Sequence, residues 1–137
     1  MDLRGQRVVI AGGTSGIGLA TARAAARAGA EVTVISRQQA SVDRALADLP
    51  PGTRGRAGDL TDPALSCRLF DAATPHLDPG GSITLTSGTA SHRDTAAAIP
   101  AGRVGEPDDI ARAYLYCLTQ PFATGSILTV DGGTVLA

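Results

Sequence analysis

Gly12-Gly13-Thr14-Ser15-Gly16-Ile17-Gly18 follows an apolar run, Val8-Val9-Ile10-Ala11, and leads into an alanine-rich stretch. The pattern reads as a buried strand, a glycine turn and a helix N-terminus in immediate succession. The first amides of a helix lack intrahelical partners, and the helix dipole favours negative charge beside them. Such a turn suits a phosphate or pyrophosphate, because glycine lets the backbone bend sharply and approach the anion. Structural turns use glycine too, so the reading depends on what the rest of the chain adds.

Working outward, Arg7 to Ala11 is the strand, and Gly16 to Ala28 the helix, ended by Gly29 at its C′ position. Glu31 to Ile35 is a second strand, with Ser36-Arg37 at its carboxyl end. Gln39 to Leu49 is helical and is stopped by Pro50-Pro51-Gly52. Thr53 to Ala57 is a weak third strand, followed by Gly58-Asp59-Leu60. Thr61-Asp62-Pro63 starts a helix expected to run to about Ala73. Ser82 to Thr86 alternates apolar and polar residues and reads as a strand ending at Ser87. Gly88 to Gly105 carries no strong pattern beyond a short helix at Ala96 to Ala98. Glu106-Pro107-Asp108-Asp109 opens a clear helix with an apolar face of Ile110, Ala113, Tyr114, Cys117 and Leu118. Pro121 stops it, and Ser126 to Val130 is a last strand closed by Asp131-Gly132-Gly133. Strands alternating with helices give an α/β class with a parallel sheet of about five strands.

The 137 residues suit a single domain, residues 1–137. With 43% hydrophobic and 18% charged residues the composition is globular rather than disordered. A net charge of -1 offers no basic field for nucleic acid or an anionic membrane. No apolar run approaches the roughly 18 residues of a membrane span, and the polar start shows no signal-peptide core. A cytoplasmic location is therefore expected. Cys67 and Cys117 have no metal-like spacing and are expected to be reduced and mostly buried. All 12 basic residues are arginine, and the chain contains neither lysine nor asparagine. Any mechanism that needs a lysine ammonium or an asparagine amide from this chain is excluded.

In open α/β sheets, ligands bind outside the carboxyl ends of the strands. The glycine turn, Ser36-Arg37, Asp59-Leu60 and Ser87 all fall at such ends, which points to a nucleotide or dinucleotide. An acidic residue after the second strand would accept hydrogen bonds from a ribose diol. Ser36 takes that place here and Arg37 follows, about 20 residues after the turn. A hydroxyl and a guanidinium suit a 2′-phosphate, so NADP is expected rather than NAD.

At these residues the chain resembles the short-chain dehydrogenases/reductases. Gly12 to Gly18 is similar to their cofactor turn, with Ala11 where Thr is common. Gly58-Asp59-Leu60-Thr61-Asp62 is similar to their adenine contact, and Gly80 to Ser87 to the strand carrying their active-site serine. Ile99 to Ala111 resembles the run into their last large helix, and Thr124 to Gly133 their final strand. The resemblance implies a Rossmann-like doubly wound sheet. It also implies cofactor contacts from Gly12, Thr14, Ser15, Gly16, Ile17, Gly18, Ser36, Arg37, Asp59 and Leu60. Ser87 is the one candidate catalytic residue, although the family's serine slot also aligns with Gly88.

The departures from the family pattern matter as much. Relative to the family, the losses fall near Ala72 to Thr74 and near Asp94 to Ala96. The first removes the fourth strand and an Asn-Asn-Ala-Gly motif, the second a Tyr-x-x-x-Lys helix and a sixth strand. In the family that tyrosine is the acid/base and the lysine lowers its pKa. A free tyrosine titrates near 10, too high for a good base at neutral pH. Tyr114 and Tyr116 lie in another helix and read as packing residues, while His92 reads as a loop residue. The first strand could then pair directly with the fifth, giving the order 3-2-1-5-7 in family naming. The resemblance further implies a homodimer through the last helix and strand, about Pro107 to Val130. Three functions stay open: an NADP(H)-dependent oxidoreductase of a carbonyl or alcohol, a catalytically silent nucleotide-binding or assembly protein, and a non-redox cyclase or isomerase reusing the pocket.

Overall fold

The computed structural model describes residues 2–59, 61–64, 67, 99–120, 122 and 127–133. Strands β1 (Arg7–Ala11), β2 (Glu31–Ser36) and β3 (Arg54–Ala57) form a parallel sheet in the order β1-β2-β3. Helices α1 (Gly16–Arg27) and α2 (Gln39–Asp48) connect successive strands, and α3 (Pro107–Thr119) packs against α1. This is an α/β fold with crossover connections between neighbouring parallel strands.

The cluster that the helices close over sits on one face of the sheet, while Ile35, which alternates with Val34 on β2, is also buried at 4% exposure. On central β2, Val32 and Val34 are 2% and 0% exposed, and Val8 and Ile10 stand opposite them in register. Ala22 and Ala25 of α1, Ala45 of α2 and the following Leu49 close over these side chains. Each buried valine contributes on the order of 1.5–3 kcal/mol. The small residues of this layer are there because the backbones come close. A Cβ on Gly13 would stand 2.7 Å from Val34 Cγ1. On Gly55 it would stand 2.3 Å from Val42 Cγ1. Val42 thus fills the place that a side chain on β3 would take, which is why this strand looked weak in sequence. Leu3, in the polar opening segment, is 2% exposed and its amide donates to the Ala28 carbonyl at 2.8 Å. On the opposite face Val9 is 58% exposed. Among the described residues the helices cover one face only. The segments expected to build the second layer, the Ser82 to Thr86 strand included, lie outside the described residues.

The helix expected from Thr61 does begin, since Pro63, Ala64 and Cys67 are helical. Three expectations are corrected. Residues 127–130 are not a strand: they have no ladder partner among the described residues, and Ile127 is 95% exposed. Cys67 is exposed rather than buried and Cys117 is half-buried; both thiols are free. The inner face of α3 is rotated from the expected one. Ala111 is its buried residue and Leu115 and Leu118 reach the core, since a small residue lets α3 approach the alanines of α1. Among the described residues no helix is long and apolar enough to cross a membrane.

Candidate functional site

Two backbone bonds lock the carboxyl ends of the strands in a row. The Gly12 amide donates to the Ile35 carbonyl at 2.9 Å, and the Gly58 amide to the Ser36 carbonyl at 2.8 Å. The glycine turn, Ser36-Arg37 and Asp59 are therefore neighbours by construction. Gly12 has φ +73, which a side chain would strain, and the space before it is open. A Cβ on Gly18 would stand 2.3 Å from the Gly12 carbonyl oxygen, so the turn lies directly on the first turn of α1.

The start of α1 has an extended N-cap, Ser15, whose side chain makes no capping bond, and its first turn holds no acidic residue. The first helical bond runs from the Leu19 amide to the Ser15 carbonyl at 3.1 Å. The amides of Gly16, Ile17 and Gly18 have no backbone partner among the described residues. These donors and the helix dipole make an anion cradle. The adjoining cavity of about 440 Å³ is lined by Thr14, Ser15, Ser36 and Arg37, and from α2 by Ser41 and Arg44. Arg37 is exposed. Asp59 accepts the Thr61 amide at 2.9 Å and the Thr61 hydroxyl at 2.7 Å. The backbone bond above all, then the hydroxyl bond, holds its carboxyl below the usual range, and the Arg37 charge adds to this. Asp59 is therefore an anion at neutral pH.

Open space before Gly12, unpaired amides and a hydroxyl-guanidinium pair at the next strand end all fit a dinucleotide phosphate. Leu60 and Ser87, as well as His92, lie outside the described residues. Ile17, in the first turn of α1, is 37% exposed. On α3, Tyr114 is half-buried and burial pushes its phenol up. Tyr116 is 45% exposed, so it is not the packing residue expected: it follows Ala111 by five positions, which turns it away from the α1 contact. Ser41 and Arg44 line this cavity and were passed over in the sequence reading. Their spacing of three along α2, just after Ser36-Arg37, was the available signal.

The short chain dehydrogenase family model matches residues 6–97. Oxidoreductase asL5 of Sarocladium schorii is 33% identical over 138 residues, covering 98% of this chain and 49% of that protein. Carbonyl reductase family member 4 of Danio rerio is 36% identical over 84 residues, covering 61% of this chain and 32% of that protein. A solved structure assigned as a betaketoacyl-ACP reductase aligns with a TM-score of 0.74 at 21% identity, covering 98% of this chain and 100% of that one. At that identity the likeness is one of fold alone. The chain spans about half the length, or less, of these curated relatives.

Proposed function

The chain belongs to the short chain dehydrogenase family, and from that premise we propose that it binds NADP(H) as a shortened oxidoreductase acting on a carbonyl or alcohol. The observation that carries this reading is the uncapped start of α1 opening beside Ser36 and Arg37. The amides of Gly16 to Gly18 would take the pyrophosphate, with Thr14 and Ser15 beside it. Ser36 and Arg37 would take the 2′-phosphate, and Asp59 and Leu60 the adenine. Ser87 would orient the substrate oxygen. The bound nicotinamide supplies the hydride chemistry. In this reading residues 1–137 form one Rossmann-like domain, working as a cytoplasmic homodimer.

A second reading is nucleotide binding without turnover, and the absence of lysine favours it. No ammonium is available to lower a tyrosine pKa, and burial pushes Tyr114 the other way. A non-redox cyclase or isomerase would use the same pocket without hydride transfer. Calorimetry with NADPH and NADH, followed by NADPH turnover against a carbonyl panel, separates these readings. Tighter NADPH binding with turnover is expected from the first, and binding without turnover from the others. No binding of either nucleotide would overturn all nicotinamide-based readings.

A further inference from the structure

The pocket beside the glycine turn contains a second guanidinium. Arg44 stands on α2, and its side chain folds back toward the amino end of that helix. Its Nε donates to the Ala40 carbonyl at 3.2 Å and its Nη2 to the Ser41 hydroxyl at 3.3 Å. Nη1 has no partner among the described residues. The amino end of α2 is where β2 delivers Ser36 and Arg37, and both arginines line the same cavity. Neither is ion-paired among the described residues. Two carboxylates lie around them: Asp48 at the cavity wall and Asp59, whose carboxyl feels the Arg37 charge. Asp59 is already engaged by Thr61. Two like charges on one small cavity repel, and a dianion between them would turn that repulsion into attraction.

We propose that Arg44 is a specificity-determining residue, the second arm of a two-arginine clamp that selects a ribose bearing a 2′-phosphate monoester. This rests on the reading of Gly12 to Gly18 and Arg37 as the NADP(H) site. The clamp follows from the arrangement of donors. Arg37 approaches from the strand end and Arg44 from the helix, with the hydroxyls of Ser36 and Ser41 beside them. A phosphate monoester near −2 charge has charged acceptor oxygens for both forks, whereas a ribose diol offers only neutral hydroxyl oxygens. The Arg44 bonds to Ala40 and Ser41 hold its fork in place beforehand, so little side-chain freedom is lost on binding.

The test compares wild type, Arg44→Ala, Arg44→Lys and Arg37→Ala by calorimetry. The probes are NADPH, NADH, adenosine 2′,5′-bisphosphate and adenosine 5′-monophosphate. Arg44→Ala is expected to weaken both 2′-phosphorylated probes by about tenfold or more. It should leave NADH and the monophosphate within about twofold, since their binding runs through the glycine turn. Arg44→Lys should recover only part of the loss, because an ammonium keeps the charge and lacks the fork. Arg44 is exposed, so thermal melts should confirm an unchanged fold. A wild type that prefers NADPH, with Arg44→Ala keeping the preference and Arg37→Ala losing it, would overturn the clamp and leave the cofactor reading standing. Equal losses for all four probes would also overturn it, since Arg44 would then act through the fold. A wild type that binds neither dinucleotide would overturn both.

Discussion

At the residue scale, Thr21 is the most informative side chain outside the pocket. It is 3% exposed on α1, and its hydroxyl has no hydrogen-bond partner among the described residues. A buried, unpaired hydroxyl costs the desolvation of a polar group with no bond to offset it. Thr21→Val replaces that hydroxyl with a methyl of the same shape. The variant should be more stable by about 1 kcal/mol in chemical denaturation. A loss of stability would mean the hydroxyl is bonded in solution. Gly18 is the opposite case, a residue whose bareness is required. Gly18→Ala would force a Cβ to within 2.3 Å of a backbone oxygen at Gly12, and backbone yields less readily than a side chain tip. The turn must open, so stability should fall by about 1–3 kcal/mol, with nucleotide binding reduced at least tenfold in calorimetry. Gly105→Ala is the control: a Cβ there meets nothing within 4 Å, and neither quantity should change.

At the element scale, most of what the sequence made legible was local. The β-branched run of β1 and of β2, the alanine pattern of α1 and the Pro107 start of α3 each carry their own signal, and each element lies where that signal put it. What sequence hid was always a relation between elements. The inner face of α3 depends on Ala111 meeting α1, and the glycine in β3 depends on Val42 arriving from α2. Arg44 was hidden for the same reason, since its place at the pocket comes from β2 ending beside the start of α2. The start of α3 adds a device that can be titrated. Arg103 grips Asp109 with two bonds of 2.6 and 3.0 Å, and Asp109 also accepts the Glu106 amide at 2.9 Å. The Arg103 bond first, then the amide, lowers the Asp109 carboxyl from 3.8 to about 2. A depressed carboxyl stabilises the fold above its unfolded value, and that contribution is lost as pH falls through the folded value. Wild type should therefore lose stability between about pH 4 and pH 2 through this group. Arg103→Ala should melt a few degrees lower at neutral pH and show a shallower acid loss, both read from thermal melts across pH. Identical acid limbs in the two proteins would show that the pair contributes nothing.

At the scale of the whole molecule, the exposed large hydrophobic side chains are unevenly placed. Tyr116, Phe122, Ile127, Leu128 and Val130 are 45%, 97%, 95%, 48% and 43% exposed, and all fall between Pro107 and Val130. Only Val9 and Ile17 stand elsewhere among the described residues. Scattered apolar side chains need no explanation, but a run of them along one segment marks an interaction surface or an aggregation liability. Burying each such side chain is worth about 1.5–3 kcal/mol, enough for a few to offset the cost of association. The same stretch is where the family resemblance implies a two-fold contact, so one surface would meet its own copy. Light scattering should then give twice the chain mass. Phe122→Glu combined with Ile127→Glu should give the monomer without loss of NADPH binding, because the glycine turn and Arg37 lie on other elements. A monomeric wild type would sink the dimer. A double variant that stays dimeric would move the interface off this segment, with the exposed Val9 face of the sheet as the next surface to test.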